Sequence, residues 1–571
     1  MSASVRRPLP RRFLKVAVSR SESELNTCRA LLSSGTLETQ LPRVSTGCAA
    51  GAPGRAPPGH SPHGTAGRLR ANRDPPVRRR TPRGQKWQGE EVDTSSLAEH
   101  DTIPADADTR VRTLLILGAS GDLTGRLLLP GLARLIRLGR TDGLNLVGAG
   151  SDDWTDEQWH ERLDESFAVA REKADDAGRA SLQQVRNNSR YHFLDVTKDG
   201  LADLVQGLEG PVAIYFALPP AVSQLACSAL GPDSLPKSTR LVMEKPFGTD
   251  QASAHQLNEK LAGLVPEQNI HRVDHFLGKA TVFNILGLRF ANRILEPVWN
   301  NLHIEKVEVI FDEDLALENR ARYYDRAGAL RDMIQSHLLH VMALLALNPP
   351  STLHERDLRD HIGSVLRAST VDLDAPGSSR RARYAAGTIG DREIPDYAAE
   401  PGVDPEKGTE TLAEITVSIN NERWSGVPFI LRSGKALGAK RKEAVITFRP
   451  VNHLPVGFSG QDEPTKLRIG FGPDTLQLEI DVNGPGDIFS LDRATLSANL
   501  NETDLLPYGE VIEGVLAGDP TLSVRGDTAE DCWRIVEPVL QAWSEGRVPL
   551  EEYPAGSEGP TAWPSSHGRK E

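Results

Sequence analysis

The stretch VRTLLILGASGDLTGRLLLPGLARLIRLG, Val111 to Gly139, decides the fold. It opens with a short continuous apolar run ending in glycine, the pattern of a strand buried on both faces of a parallel sheet. It closes with apolar positions recurring at helical spacing. Between the two, Gly118-Ala119-Ser120-Gly121-Asp122-Leu123-Thr124-Gly125 occupies the point where strand hands over to helix. Glycine there permits a tight turn and lets the backbone approach a pyrophosphate, which the helix N-terminus then stabilises. The spacing is G-x-x-G-x-x-x-G rather than the commoner G-x-G-x-x-G. Standing alone, such glycines would also fit an ordinary strand–helix turn.

They do not stand alone. GLNLVGAG (143–150), GPVAIYFALPP (210–220) and STRLVMEKPFG (238–248) read as further buried strands, with helical stretches such as LNEKLAGL between them. This alternation predicts an α/β domain, a doubly wound, Rossmann-like parallel sheet. Past residue 300 the pattern changes. HIEKVEVIFDED, LAEITVSINNERW, VPFILRSG, EAVITFRPV, TKLRIGFG and TLQLEIDV alternate at period two with turn residues between them. They predict a second, α+β domain around a largely antiparallel sheet. A long helix, GALRDMIQSHLLHVMALLALNPP (328–350), is expected beside it, stopping at Asn348-Pro349-Pro350.

A chain of 571 residues has room for two or three domains. Its 39% hydrophobic and 25% charged content is that of a soluble globular protein. No apolar run approaches the roughly 18 residues that would cross a bilayer, so no membrane role is expected. Charge is uneven. Residues 1–90 hold 17 Lys and Arg against 5 Asp and Glu, leaving 49 against 73 for the remainder, so the net −12 hides a basic tail on an acidic body. An acidic body argues against nucleic acid as partner, because phosphate binding needs a basic footprint. Cys28, Cys48, Cys227 and Cys532 show no paired spacing. That excludes a disulfide scaffold and an obvious thiolate metal site, and it suits a reducing, cytoplasmic setting. Residues 1–110, with GAPGRAPPGHSPHG and RDPPVRRRTPRG, have almost no aromatics and read as a disordered Arg/Pro/Gly-rich extension. The same composition suits an organelle transit peptide, without a strong amphipathic period to back it. A variable extension or an over-early start codon are the plainer alternatives.

IHRVDHFLGKATVFN (270–284) places Asp274, His275 and Lys279 in an otherwise apolar segment. Burying an unpaired charge is costly, so these groups need partners. If 274–279 is helical, His275 and Lys279 share a face and form a cationic patch for a phosphate monoester. Asp274 is then turned about 100° away, toward something else. Three solvated surface charges are the ordinary alternative, which the flanking Val273, Phe276 and Leu277 argue against. His337, in the 328–350 helix, shares a face with Leu330, Ile334 and Val341. An imidazole titrates near neutrality and suits a general base, but the helix alone fits a satisfied core histidine better.

Several segments together resemble one family, glucose-6-phosphate dehydrogenase. GASGDLTGRLLLP, ALPP, EKPFG, RVDHFLGK, LRFANRILEPVWN, ALRDMIQSHLL and GVPFILRSGKAL occur in that family's order, and CWRIVEPVL and YPAGSEGP extend the match. The resemblance implies a dinucleotide-binding domain over 111–295 and a substrate and oligomerisation domain over 296–565, with a short tail at 566–571. It implies oxidation of the C1 hydroxyl of glucose 6-phosphate with hydride transfer to NADP or NAD, in the pentose phosphate pathway. His337 becomes the base and Asp274 its orienting partner. His275 and Lys279 anchor the phosphate, and Lys245 sits between cofactor and substrate. Glu313, Asp332, Lys435 and Lys440 fall at sugar-binding positions, with Arg441 an alternative to Lys440. Arg320 and Arg432 are expected to hold structure. Gly118, Ala119, Ser120, Gly121, Asp122, Leu123, Thr124, Ser151 and Lys245 are the cofactor contacts, and no metal is implied. A homodimer or homotetramer through the antiparallel sheet is implied as well.

The match has three breaks. Phe276 replaces the family's more frequent tyrosine, removing a phosphate hydrogen bond worth about 1.5–3 kcal/mol if the group is buried and unreplaced. Gly470, in LRIGFG, stands near a substrate-contacting glutamine. Ser151, followed by Asp152 and Asp153, stands where NADP-specific members carry an arginine for the 2′-phosphate. Acidic neighbours there suit a free 2′-hydroxyl, which points to NAD or mixed use. The alternative is a two-residue misalignment, with the phosphate neutralised by Arg126 or by the turn. Two other functions compete: a dehydrogenase of the same fold for another anionic sugar, such as a 6-sulfo analogue, and a non-catalytic paralogue.

Overall fold

The apolar run at 113 becomes an inner strand of a seven-stranded sheet in the computed structural model. The structure describes residues 110–563 except 142, 319, 461, 485, 501 and 502, together with the backbone of 17 and 18. The extension expected over 1–110 and the tail at 566–571 otherwise lie outside the described residues. Strands β1 (Thr113–Leu117), β2 (Asn145–Gly150), β3 (Arg190–Phe193), β4 (Val212–Phe216), β5 (Arg240–Glu244) and β6 (Ile270–Val273) run parallel in the order 3-2-1-4-5-6. This is the doubly wound order of dinucleotide-binding sheets. β3 and β6 were not among the strands read from sequence. β3 is a four-residue edge strand with three exposed positions, and β6 carries a histidine and an arginine that hide an apolar run.

Every residue of β1 and β4 is buried, because both faces are covered. Period-two alternation sorts them into two cores. Leu114, Ile116, Ala213, Tyr215 and Val242 pack with helix α1 (Leu129–Arg137), with α2 (Asp156–Glu172) and with a helix from the far C-terminal region. Leu115, Leu117, Ile214, Phe216, Leu241 and Met243 face α3 (Gln251–Ala262) and α4 (Ala280–Phe290). The glycine turn follows β1. Gly118 has φ +85°, and a Cβ on it would stand 2.4 Å from the Ala217 carbonyl oxygen, so no other residue fits.

The second sheet contains β7 (Ile304–Asp312), β8 (Ser379–Ala385), β9 (Leu412–Ile419), β10 (Pro428–Gly434), β11 (Arg441–Phe448), β12 (Lys466–Gly470), β13 (Thr475–Asn483), β14 (Ser490–Asn499) and β15 (Leu550–Pro554). Their order is 14-13-12-11-7-10-9-8-15, antiparallel except at β7–β10 and β8–β15. The backbone of Ala17–Val18 pairs antiparallel with Leu496 and Ser497 of β14.

The expected 328–350 helix departs from a simple rod. Helix α5 (Ala321–Ala329) is broken at Gly328, with φ 65° and ψ 174°. Leu330–Leu338 is a π-helix, which passes into the α-helix α6 (Leu339–Ala346). The whole of α6 is buried, and the helix ends two residues before Asn348-Pro349. Beyond the second sheet the chain returns to the first. Helix α7 (Pro507–Ala517) covers its α1 face, Ser523–Val524 pairs antiparallel with β6, and α8 (Gly526–Ser544) packs on α3.

Candidate active site

The C-terminal ends of β5 and β6 lie side by side, Glu244 in register with Val273. In an open parallel sheet ligands bind at this edge. Lys245 lies one residue past β5, and Asp274–Lys279 follows β6. That segment is not the helix considered from sequence. N–H groups of Leu277, Gly278 and Lys279 donate three residues back, to Asp274, His275 and Phe276, at 2.9, 3.2 and 3.1 Å, giving overlapping tight turns. The Asp274 carboxylate supports the first turn by accepting from the Phe276 N–H at 3.0 Å. Gly278 is dictated by a neighbour: a Cβ there would stand 2.2 Å from the Pro507 carbonyl oxygen.

Asp274 faces the π segment. Its Oδ1 lies 2.5 Å from His337 Nδ1, and its Oδ2 accepts from Ser336 Oγ at 2.6 Å. All three side chains are buried. An ionised carboxylate only accepts, so Nδ1 carries the proton and Nε2 keeps its lone pair. Burial pushes the Asp274 carboxyl upward, but the charge and hydrogen bond of His337 outweigh it and hold the group below the usual range. Burial also lowers His337, and the opposing pull of Asp274 does not restore its ordinary value. The imidazole is therefore neutral near pH 7 and fit to accept a proton. The Phe276 ring stacks on it at 4.3 Å and 17°. Phenylalanine thus keeps the packing role of a ring at this position, without the hydroxyl.

His275 and Lys279 are less cationic than the sequence implied. Burial first, then His337, lowers His275 to about 3, so it stands neutral in the free protein. Lys279 Nζ donates to the Phe471 carbonyl at 3.2 Å and lies 5.3 Å from the Phe276 ring centroid. Burial and the neighbouring Lys442 lower it as well. A phosphate dianion between these groups would raise both, by the ordinary effect of an adjacent opposite charge.

Lys245 donates to the Asp332 backbone carbonyl and lies 3.5 Å from its carboxylate, which also accepts from Tyr323 Oη at 2.9 Å. Asp332 and His337 are five residues apart. Five α-helical steps of 100° would separate them by roughly 140°, whereas the i→i+5 winding of a π-helix brings them to one side. Glu313 follows β7 and meets Lys435 at 2.8 Å and Lys442 at 3.0 Å. Burial would raise Glu313, but the two lysines, Lys435 foremost, hold it low. Lys440 does not join this group; it is exposed and pairs with Asp314 at 3.4 Å. Arg432 is buried against Asp312, a structural pairing as expected. Arg320 lies 5.5 Å from the Tyr323 ring. Gly470 answers to backbone crowding, since a Cβ there would meet Thr475 Oγ1 at 2.4 Å and the Pro473 carbonyl at 2.6 Å.

The Gly118–Thr124 turn sits at the C-terminal end of β1, at the point where the strand order reverses between β1 and β4. A dinucleotide pyrophosphate fits such a turn. Thr124 closes it by donating to the Gly118 carbonyl at 3.0 Å. Ser151, Asp152 and Asp153 are exposed just past β2. Two arginines border the same corner. Arg126 is paired with Asp122 at 3.2 Å, and Arg162 stands 5.3 Å from the Trp154 ring centroid and against Gly125.

Ser336, Lys442 and Tyr323 join the site although no motif singled them out. Lys442 had a signal in hand: β11 alternates at period two, and Lys442 stands in register with Phe311, beside Glu313. Ser336 depends on the π winding, which leaves no mark on an apolar periodicity.

The family description "Glucose-6-phosphate dehydrogenase, NAD binding domain" matches residues 115–284, and its C-terminal domain matches 286–570. A glucose-6-phosphate 1-dehydrogenase of Gluconobacter oxydans is 35% identical over 481 residues, covering 80% of this chain and 96% of its own. That of Treponema pallidum is 37% identical over 481 residues, covering 79% and 92%. Among solved structures, the Mycobacterium avium enzyme superposes with a TM-score of 0.69 at 33% identity, covering 79% of this chain and 95% of its own. A glucose-6-phosphate dehydrogenase in complex with its substrate glucose 6-phosphate gives 0.71 at 30%, covering 79% and 96%. With both halves matched and the fold shared, the chain belongs to the glucose-6-phosphate dehydrogenase family.

Proposed function

We propose that this protein oxidises the C1 hydroxyl of glucose 6-phosphate to 6-phosphogluconolactone, the first step of the oxidative pentose phosphate pathway. The observation that carries the reading is the buried Asp274–His337 pair, set beside the lysine and carboxylate groups just described. His337 Nε2 takes the hydroxyl proton, while Asp274 fixes the ring and stabilises the imidazolium. A nicotinamide dinucleotide held at Gly118–Thr124 and Lys245 supplies the hydride acceptor. Glu313 and Asp332 accept from sugar hydroxyls, Lys435 and Lys442 donate, and His275 and Lys279 bind the phosphate. Lys440 stands at the rim.

Ser151, Asp152 and Asp153 support NAD use or use of both dinucleotides, because the usual 2′-phosphate arginine has no counterpart at that position. Purified full-length protein is expected to reduce NAD with glucose 6-phosphate at a kcat/KM no lower than about a hundredth of that for NADP. A larger preference for NADP would sink the cofactor reading, with Arg126 and Arg162 then its holders. Silence with both would sink the enzyme reading in favour of a non-catalytic paralogue, and preference for a 6-sulfo sugar would reassign the substrate. The reading includes a cytoplasmic homodimer or homotetramer. It is supported by cysteine usage and by the partly exposed sheet of β12–β14, and among the described residues no helix is long and apolar enough to cross a membrane.

A further inference from the structure

Glu244 takes no part in these steps, yet it lies beneath them. It ends β5, next to the turn that carries Asp274. Its carboxyl accepts from the Tyr215 hydroxyl of β4 at 2.5 Å, and the Tyr508 hydroxyl of α7 bears on its charge. Tyr508 is buried, and its ring stacks on His275 at 5.8 Å with the planes 9° apart. His275 then meets His337 edge-on at 4.6 Å. Two glycines clamp Tyr508 in place. The Pro507 carbonyl presses on Gly278, and a Cβ on Gly131 would stand 2.9 Å from the Gly509 nitrogen.

We propose that Glu244 and Tyr508 are positioning residues: the carboxylate holds the tyrosine hydroxyl, and the tyrosine ring sets the plane of His275 for the anionic end of the substrate. The inference rests on the reading of His275 as a phosphate contact. The groups facing the carboxyl are Tyr215 from β4, Lys245 just past the end of β5, Asp274 from the turn after β6 and Tyr508 from α7. Burial is the largest influence and Asp274 reinforces it, so Glu244 is pushed up to about 7 despite the other three. Ionised, the carboxylate accepts from Tyr215 and attracts the Tyr508 hydroxyl. Protonated, it becomes a donor and loses its charge, so its hold on the Tyr508 hydroxyl weakens. The clamp is therefore complete above about pH 7 and loosens as pH falls through that value.

Steady-state kinetics of Tyr508→Leu, Tyr508→Phe and Glu244→Gln in the full-length chain test this. Loss of an aromatic stack weakens an affinity by up to about tenfold. Tyr508→Leu is expected to raise the KM for glucose 6-phosphate by that amount, with kcat and the dinucleotide KM within about twofold. Tyr508→Phe keeps the ring and loses about threefold or less. Glu244→Gln removes the KM inflection near pH 7; the substrate phosphate titrates near pH 6 in every variant, so the difference from wild type is diagnostic. An unchanged sugar-phosphate KM in Tyr508→Leu overturns the proposal. So does a shift of both KM values and kcat together, or a wild-type pH profile in Glu244→Gln. If Tyr508→Leu fails to fold, the other two variants decide. A wild-type chain without turnover would refute the activity instead, and inorganic phosphate binding by calorimetry would then read the variants: tenfold weaker in Tyr508→Leu supports the clamp, and equal affinity refutes it.

Discussion

Two imidazoles stand 4.6 Å apart in this site and carry different chemistry because only one touches a carboxylate. Burial lowers both, but Asp274 returns part of the loss to His337, while His275 is left at about 3. His337→Asn should cut kcat by about 10²–10⁴-fold, the usual scale of a lost general base, while calorimetric affinity for glucose 6-phosphate holds within a few-fold. An undiminished kcat would refute the base assignment. Asp274→Asn has a signed effect on pH dependence. The base must be unprotonated, so kcat falls as pH drops through the folded value of His337. Removing the group that raises this value should move the acid limb of kcat to lower pH; a move to higher pH would contradict the pairing. At this scale the sequence revealed the charged residues in apolar surroundings, and the resemblance supplied the roles proposed for them. It did not reveal the neutral state of His275, which depends on what crowds around the side chain, and the pairing of Glu313 with Lys442 was legible only in the alternation of β11.

The π segment is the element on which the site turns. Its N-terminus is closed by Glu410, whose Oε1 accepts from the Leu330 N–H at 3.0 Å. The chain enters through Gly328, where a Cβ would stand 2.3 Å from the same carboxylate oxygen. Gly328→Ala should therefore destabilise by about 1–2 kcal/mol from the left-handed backbone alone. Displacement of Glu410 adds to that cost. Calorimetry should show a lower Tm, and kcat should fall with it, since Asp332 and His337 lose their shared side of the helix. An unaltered kcat with a lowered Tm would separate the winding from catalysis. Apolar spacing predicted a helix over 328–350, and the chain is helical from Leu330 to Ala346. It could not distinguish i→i+4 from i→i+5 winding, because nearly every position is buried and any periodicity fits. Edge strands such as β14, with polar residues on most exposed positions, escaped for the opposite reason.

At the scale of the molecule, strand alternation and the change to period two were enough to separate two sheets. The far strands of the second sheet carry an apolar stripe. Leu478, Ile480 and Val482 of β13 share a face with Leu496 of β14, and Val482 and Leu496 are 41% and 36% exposed. Exposed apolar stripes of this kind mark contact surfaces. The double variant Val482→Glu/Leu496→Glu should shift the proposed homo-oligomer to monomer in light scattering, and an unchanged mass would move the interface elsewhere. The return of the C-terminal region to the first sheet was not legible, since an apolar helix face does not name its partner.

That return has a consequence for how the protein is made. Strand β6 gains its outer neighbour only at Ser523–Val524, and the seat of Tyr508 is filled from the same late region. Translation at about 5–20 residues per second leaves that edge open for on the order of tens of seconds. The nucleotide-binding half therefore cannot mature as it emerges from the ribosome; it waits, exposed to aggregation and to holding chaperones, for residues about 250 positions further along to arrive.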